Sequence, residues 1–490
     1  METTSRIYRE SLSLATDLYQ LTMSYGYWKT GSSEKEAVFH LFFRKPPFGG
    51  GYAVACGLRY AIGILKDFRF DDSDVAFLGT LTGNDGKPLF EKGYLDYLRQ
   101  MEFCCDVDGV EEGTVVFANQ PLLRIKGPII QCQILETVLL CVMNFQTLIA
   151  TKSARVCQAA KEDPVLEFGL RRAQGLDGAL SASWAAYVGG CAATSNVLAG
   201  KLFGIPVKGT HAHSWIMSFD TEEEAFQSYA EAMPNNCVFL VDTYNTIQGV
   251  KRAIEVGEWL RENGHKMVGI RLDSGDLAEL SIEARNLLDD ANFKDAVIVA
   301  SNDLDERLVL DLKKKGCCIS VWGIGTKLAT AYDQAALGGV YKLAAIRKPG
   351  KEWRYTVKLS EQAIKVSNPG IQQVRRFYQA DKAVADVIYD EELGIKDEPT
   401  LVLQHAPDQE MHLNEDYEYE DLLKPIFRNG KLVYDIPEAE ETRGYVAEEK
   451  AFFSDKVKKF DEPDVYPVGL EHGLFDLKAN LIARIRTGQK

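Results

Sequence analysis

Four apolar runs rich in β-branched residues recur in the middle of the chain: CVFLVDT at 237–243, MVGIRLDSGD at 267–276, AVIVASNDLDE at 296–306 and CISVWGIGT at 318–326. Each is almost continuously apolar, as expected of strands covered by helices on their faces. The segments between them read as those helices. The first follows Asn245, sets Ile247, Val250 and Ile254 on one face and stops at Asn263-Gly264. AELSIEARNLLDDA fills the second gap, and DERLVLDLKKKG fills the third and ends at Gly316. Strand and helix alternating every 20 to 30 residues or so, a spacing of about one βαβ unit, predicts a parallel sheet. The strand ends DT, DSGD, SND and GIGT then share one carboxyl edge, where α/β barrels and open sheets carry their sites. An open doubly wound sheet is the structural alternative. It would normally show G-x-G-x-x-G after its first strand, and the chain has none. A fifth run, GVYKLAAI at 339–346, follows the series.

The flanks differ. TDLYQLTMSYGYW predicts a helix capped by Thr16 or Asp17, AVFHLFFR a strand, and PFGGGYAVACG a glycine-rich turn leading into a helix. Two short strands are expected between Val116 and Ile130, and a buried helix from Ile134 to Thr151. Beyond 350, EWRYTVKLS and AIKVS alternate with period two before Pro369-Gly370, and Asn429-Gly430 in FRNGKLVY signals a hairpin. Asp390 to Glu441 is acidic and reads as a partly solvated, β-containing region. Three segments are expected: 1–145, an α/β N-terminal domain whose strands are joined by part of the C-terminal region; 146–350, carrying the site; and 351–490.

Composition narrows the function classes. The chain has 490 residues and a net charge of −15, from 56 Lys and Arg against 71 Asp and Glu. That balance argues against a general nucleic-acid binder and leaves room for anionic small molecules held by local groups. The ten cysteines show no C-x-x-C and no regular spacing, and several, such as the one in LLCVMNF, read as buried thiols. The opening METTSRIYRES reads as lacking a leader, and no apolar run approaches the roughly 18 residues of a membrane span. The expectation is a cytoplasmic protein in a reducing compartment.

Several positions suit chemistry. GTHAHS holds His211 and His213, which on an extended segment point the same way. A structural histidine comes first, a catalytic one second, and a metal ligand last, since no further ligands are nominated. In IRLDSGDL, Arg271 can grip a carboxylate or phosphate with both arms, and Asp273 or Asp276 can meet ribose hydroxyls or Mg2+. A simple capped turn explains Ser274 or Asp276 but leaves Arg271 unexplained. GIGT at 323–326 suits a phosphate: glycines admit the backbone, Thr326 adds a hydroxyl, and the next helix aims its N–H groups at the anion. In EFGLRRAQG, Phe168 beside Arg171 and Arg172 suits an aromatic anion, or else a solvated basic turn. A lone Tyr19 reads by default as a packed helix aromatic.

Taken in order and spacing, TDLYQLTM, FHLFFRKPPFGGGYAVACGL, EFGLRRAQG, GTHAHSW, VDTYNT, IRLDSGDL, SNDLDE, GIGTKLAT and GGVYKL resemble the nicotinate phosphoribosyltransferase family over about residues 14 to 347. The resemblance implies an irregular, TIM-like α/β barrel with an α/β N-terminal domain and a smaller β-containing C-terminal region. It implies a glycosyltransferase-type ligase of NAD salvage. Nicotinate attacks C1 of 5-phosphoribosyl 1-pyrophosphate, giving nicotinate mononucleotide and pyrophosphate, with Mg2+ present. ATP hydrolysis is coupled through a phosphohistidine, here His213. It further implies a homodimer with shared active sites, with no nucleic-acid or membrane partner.

Carried over by position, the resemblance has Phe168 stack on the pyridine ring with Tyr19 of the partner subunit on the other face. Arg271 and Thr210 lie near nicotinate or ribose, and Arg171 meets phosphate. Asp242 and Asp273 face ribose hydroxyls or Mg2+, with Ser214 and Ser274 beside them. Ser301, Asn302, Gly325 and Thr326 hold the 5-phosphate. His211 stands where the related nicotinamide enzyme is expected to carry Asp, which would repel a carboxylate; His211 removes that repulsion and could donate to the acid. The other readings are a sister enzyme acting on nicotinamide or quinolinate, and a non-catalytic binding protein of the same fold. A site rich in Arg, Asp and Gly without a Ser-His-Asp triad fits a dissociative transfer, because the nicotinate ring nitrogen is already a free nucleophile.

Overall fold

The computed structural model describes residues 11–362, 365–396, 398–414 and 416–488. The opening stretch read as lacking a leader lies largely outside these residues, as do the first two positions of AIKVS. Contacts divide the chain into two compact units: Met1–Leu148 with Ala336–Pro437 and Tyr445–Lys490, and Ile149–Ala335 with Glu438–Gly444. The N-terminal segment and most of the C-terminal segment thus lie in one unit.

In the first unit, Glu36–Phe43 is a strand, as AVFHLFFR predicts, and all but its first residue are buried. It pairs antiparallel with Leu123–Pro128 on one side and with Gly339–Arg347 on the other. The fifth apolar run therefore does not continue the parallel series. It closes an antiparallel ladder with a strand 300 residues earlier in the chain, a pairing that no local pattern encodes. The seven-stranded sheet ends in Lys424–Arg428 and Lys431–Leu432, joined at Asn429 and Gly430. Both turn residues have positive φ, 47° and 73°, the twist that lets a two-residue hairpin follow its strands. Leu18–Lys29 is helical behind Asp17, and Leu58–Lys66 follows the glycine-rich turn. The helix expected from Ile134 runs over Glu136–Ala160.

The acidic C-terminal region is better ordered than its composition suggests. A six-stranded sheet runs through Gln372–Gln379, Lys382–Asp390 and Val468–Glu471. Arg376, on Gln372–Gln379, is fully buried and donates to Asp386 at 2.9 and 2.8 Å and to Glu449 at 2.9 Å. Tyr466 also donates to Asp386, at 3.0 Å. A buried guanidinium so fully paired fixes one arrangement of its neighbours. EWRYTVKLS contributes only the two-residue strand Arg354–Tyr355. Cys141, the thiol of LLCVMNF, is exposed rather than buried, whereas Cys56, Cys105, Cys132, Cys191 and Cys237 are buried. No described helix is long and apolar enough to cross a membrane.

The second unit holds the predicted parallel sheet. Its strands are ordered Ala193–Thr194, Val165–Glu167, Val321–Ile324, Val297–Ala300, Gly269–Leu272 and Val238–Leu240, all parallel. Their buried, branched side chains, such as Ile270, Ile298, Val299 and Ile324, make the covered core; burying each contributes about 1.5–3 kcal/mol before entropy is subtracted. The helix Thr246–Glu262 begins at Asn245, whose side chain accepts from the Gln248 N–H at 3.0 Å. Its buried face is Gly249, Val250, Ala253, Val256, Gly257 and Leu260, while Ile247 and Ile254 stay half-buried. Gly249 lets the helix approach the chain beside Val238–Leu240, where an added Cβ would come 2.1 Å from Val241 O, and Gly257 packs on Phe293 and Met267.

Candidate active site

The carboxyl ends of the parallel strands bring the predicted polar residues together. Arg271, near the end of Gly269–Leu272, is the hub. Its Nε donates to Ser301 Oγ at 2.9 Å, and its terminal nitrogens donate to Thr210 Oγ1 at 3.0 Å and Asp273 Oδ1 at 2.9 Å. Ser301, at the end of the neighbouring strand, donates its hydroxyl to the same Asp273 oxygen. The fork is therefore held rigidly from three chain segments, and its geometry is set before any anion arrives.

Asp273 is half-buried. Burial works against its charge, but the Ser301 hydroxyl, the Arg271 guanidinium and His213 outweigh it and hold the carboxyl below the usual range. Its backbone N–H and the Ser274 hydroxyl donate to Asp242 Oδ2, at 2.9 and 2.5 Å. Ser274 thus ties two strand ends together. Asp276 is instead the helix cap, accepting from Ala278 and Glu279 N–H groups at 3.0 and 3.1 Å.

The two histidines part company. His213 opens the short helix His213–Met217, and its Nδ1 lies 3.0 Å from Thr243 Oγ1 and its Nε2 3.7 Å from Asp273 Oδ2. His211 turns inward. It is 8% exposed, sits 4.9 Å from the Tyr229 ring, and spends Nε2 accepting the Leu240 N–H at 3.3 Å. Its other nitrogen is buried without a hydrogen-bond partner. The expectation that both rings point the same way fails because the chain leaves its extended path at His213. The expectation that His211 donates to a bound acid fails with it, since neither ring nitrogen is accessible.

Phe168 follows the strand Val165–Glu167. Its N–H donates to Ile324 O at 2.8 Å, and its ring lies over Gly323, where an added Cβ would come within 2.7 Å. The Arg271 guanidinium is 6.0 Å from the ring centroid, so cation and aromatic face one space. The GIGT segment departs from expectation in one respect. The helix after Gly325 is a single turn, Thr326–Ala329, so an anion there would meet the loop backbone and Thr326 more than an aligned helix. Asn302 and Asp303 both have positive φ, 91° and 42°, at the neighbouring strand end.

The remaining predicted residues stand outside this hydrogen-bonded cluster. Arg171, Ser214 and Asn302 are exposed, and Tyr19, 49% exposed, belongs to the other unit. Thr243, which VDTYNT puts at a strand end but which the sequence did not single out, joins the cluster through its contact with His213. For Mg2+, among the described residues, Asp242 Oδ1 is buried without a partner, and Asp273 Oδ2 has only His213 Nε2 near it, at 3.7 Å. No group of three His, Cys, Asp or Glu side chains forms a metal cage among the described residues. The donor set fits an ion bound by one or two carboxylates together with substrate phosphates, the usual habit of Mg2+.

Comparison with known proteins agrees with this architecture. The N-terminal domain of nicotinate phosphoribosyltransferase matches residues 14–144, the family itself 164–380, and the C-terminal domain 371–478. The chain is 42% identical to nicotinate phosphoribosyltransferase of Bacillus subtilis, over 98% of this chain and 96% of that one. It is 37% identical to the Dictyostelium discoideum protein of the same name, over 96% and 88%. The crystal structure of human nicotinic acid phosphoribosyltransferase superposes with a TM-score of 0.83 at 32% identity, covering 95% of this chain and 99% of that one. Full-length similarity in sequence and fold, with the strand-end cluster in place, means that this chain belongs to the nicotinate phosphoribosyltransferase family.

Proposed function

We propose that the strand-end cluster of the parallel sheet is where phosphoribosyl transfer takes place, and that ATP hydrolysis is coupled to it through His213. The chain is a nicotinate phosphoribosyltransferase of NAD salvage: it makes nicotinate mononucleotide and pyrophosphate from nicotinate and 5-phosphoribosyl 1-pyrophosphate. The observation carrying the placement is the Arg271 fork, shared by Asp273, Ser301 and Thr210 and facing the Phe168 ring. A flat apolar wall beside an anchored cation suits an aromatic carboxylate, and the reaction requires orientation and charge stabilisation more than a strong base.

In this reading Phe168 carries the pyridine ring, with Tyr19 of the partner subunit opposite, in a homodimer. Arg271 and Thr210 orient nicotinate or ribose. Ser301, Asn302, Gly325 and Thr326 hold the 5-phosphate, and Arg171 reaches a phosphate from its exposed loop. Asp242 and Asp273 would hold Mg2+, which when bound neutralises phosphate charge. With Thr243 accepting from Nδ1–H, His213 presents the Nε2 lone pair to the γ-phosphorus of ATP: the Nε2–P bond forms as the P–O bond to ADP breaks, ADP leaves, and Asp273 stabilises the charge left on the ring. Ser214 follows His213 in the same helix and is read as lying beside the transferred group. A cytoplasmic location fits substrates and ATP drawn from that pool.

The test is pyrophosphate release from 5-phosphoribosyl 1-pyrophosphate with Mg2+, comparing nicotinate with nicotinamide, with and without ATP, in wild type and His213→Ala. Release with nicotinate alone, stimulated by ATP only in the wild type, is expected. ATP stimulation surviving in the variant would remove His213 from the coupling.

A further inference from the structure

Phe168 is held in place by the residue before it. Glu167 is 1% exposed and turns its carboxylate inward. Oε1 accepts the Gly169 N–H, and Oε2 accepts from Thr194 Oγ1 at 2.6 Å and Ser183 Oγ at 3.0 Å. These donors come from three places: the loop after the strand, the adjoining strand Ala193–Thr194, and the helix Leu176–Val188. Backbone bonds reinforce the join, since Glu167 O accepts the Ser195 N–H at 2.9 Å. No Lys, Arg or His pairs with the carboxylate among the described residues.

A buried carboxylate without a counter-ion is costly, and a plain strand end does not require one. Its donors explain it by what they fix. The Phe168 N–H is bound to Ile324 O, and the next N–H, of Gly169, is bound to Glu167 Oε1. The backbone of Phe168 is thereby clamped on both sides. Gly169 itself is packed so closely that an added Cβ would come 2.3 Å from Ala329 Cβ and 3.0 Å from Gly325 O. The turn that bears Phe168 is therefore packed against the GIGT loop, and the Glu167 carboxylate, whose own partners are Gly169, Thr194 and Ser183, locks the turn and not the loop.

We infer that Glu167 is a positioning residue for the nicotinate slot: it sets the angle of the Phe168 ring without touching substrate. This rests on the reading that Phe168 stacks on the base. It predicts an effect on nicotinate specifically, because displacing a stacking ring misaligns the base and leaves the groups read as holding the 5-phosphate, Ser301, Asn302 and Thr326, in place.

The experiment is saturation kinetics on the full-length enzyme for Glu167→Gln, Phe168→Ala and the double variant, varying each substrate in turn. Glu167→Gln keeps the size but offers an amide N–H₂ to groups that are themselves donors. The expected result is a rise in nicotinate KM of about tenfold to a hundredfold, with the KM for 5-phosphoribosyl 1-pyrophosphate within about twofold. In the Phe168→Ala background the Glu167→Gln step should add nothing, since the ring it positions is gone. A raised nicotinate KM in Phe168→Ala with an unchanged one in Glu167→Gln would overturn the positioning role alone, as would effects that multiply in the double variant. An unchanged nicotinate KM in Phe168→Ala would overturn the stacking reading and this inference together. Should Glu167→Gln not fold, Thr194→Val, which removes one donor and keeps the carboxylate, is expected to shift nicotinate KM in the same direction by a smaller factor.

Discussion

His213 Nδ1 lies 3.0 Å from Thr243 Oγ1, and the role that hydroxyl takes, acceptor or donor, sets which ring nitrogen of His213 keeps its lone pair. While Thr243 accepts, the proton stays on Nδ1 and Nε2 keeps its lone pair. Thr243→Val removes the acceptor and leaves the shape. ATP stimulation of pyrophosphate formation should fall by about tenfold, the equivalent of one hydrogen bond, with ATP-independent turnover kept. Unchanged stimulation would show that Thr243 does not set the tautomer.

Arg271 uses all three of its nitrogens, on Ser301, Thr210 and Asp273. A lysine keeps the charge but cannot reproduce a planar fork across three segments. Arg271→Lys should lower kcat/KM by about 100-fold and lower the melting temperature as well, because each lost charged hydrogen bond is worth about 1.5–3 kcal/mol and the three are made within the folded chain. A loss of only a few-fold would mean that charge alone suffices at this position.

How much of this was legible in the sequence depends on the range of the information. The four parallel strands, their capped helices and the polar strand ends are local patterns, and Arg271, Asp273, Ser301 and Thr210 fall together because parallel strands align their carboxyl ends. The pairing of Gly339–Arg347 with Glu36–Phe43 is not local, and an apolar run reads alike in either kind of sheet. His211 misled for a similar reason. Its spacing from His213 assumes one straight strand, and the helix starting at His213 breaks that assumption. Glu167 and Thr243 carry no local signal, since what distinguishes them is a partner some 30 residues or fewer away, the kind of contact that only tertiary packing defines.

His211 carries a pH signature. Burial, followed by the charges of Arg271 and His213, pushes its imidazole down to about 4. In the unfolded chain the group takes its proton near 6.5. Between those values the unfolded state binds the extra proton, so stability falls as pH drops from about 6.5 toward 4, by about 3 kcal/mol for this group in full. His211→Gln retains an acceptor for the Leu240 N–H and cannot titrate. Urea midpoints from pH 7 to pH 4 should decline less steeply in the variant; identical slopes would remove His211 as the source.

Gly323 sits under the Phe168 ring, and a Cβ there would come 2.7 and 2.8 Å from two ring carbons. The contact is with a ring and not with the end of a flexible chain, so the ring must tilt. Gly323 has no positive φ in this structure, so alanine costs the backbone little, and the effect falls on Phe168. Gly323→Ala should therefore raise nicotinate KM by about tenfold, while leaving the KM for 5-phosphoribosyl 1-pyrophosphate and the unfolding midpoint near wild type. Steady-state kinetics with each substrate varied, beside a thermal melt, separates the outcomes. A drop in stability with both KM values unchanged would mean that the ring packs the core there and does not face the base.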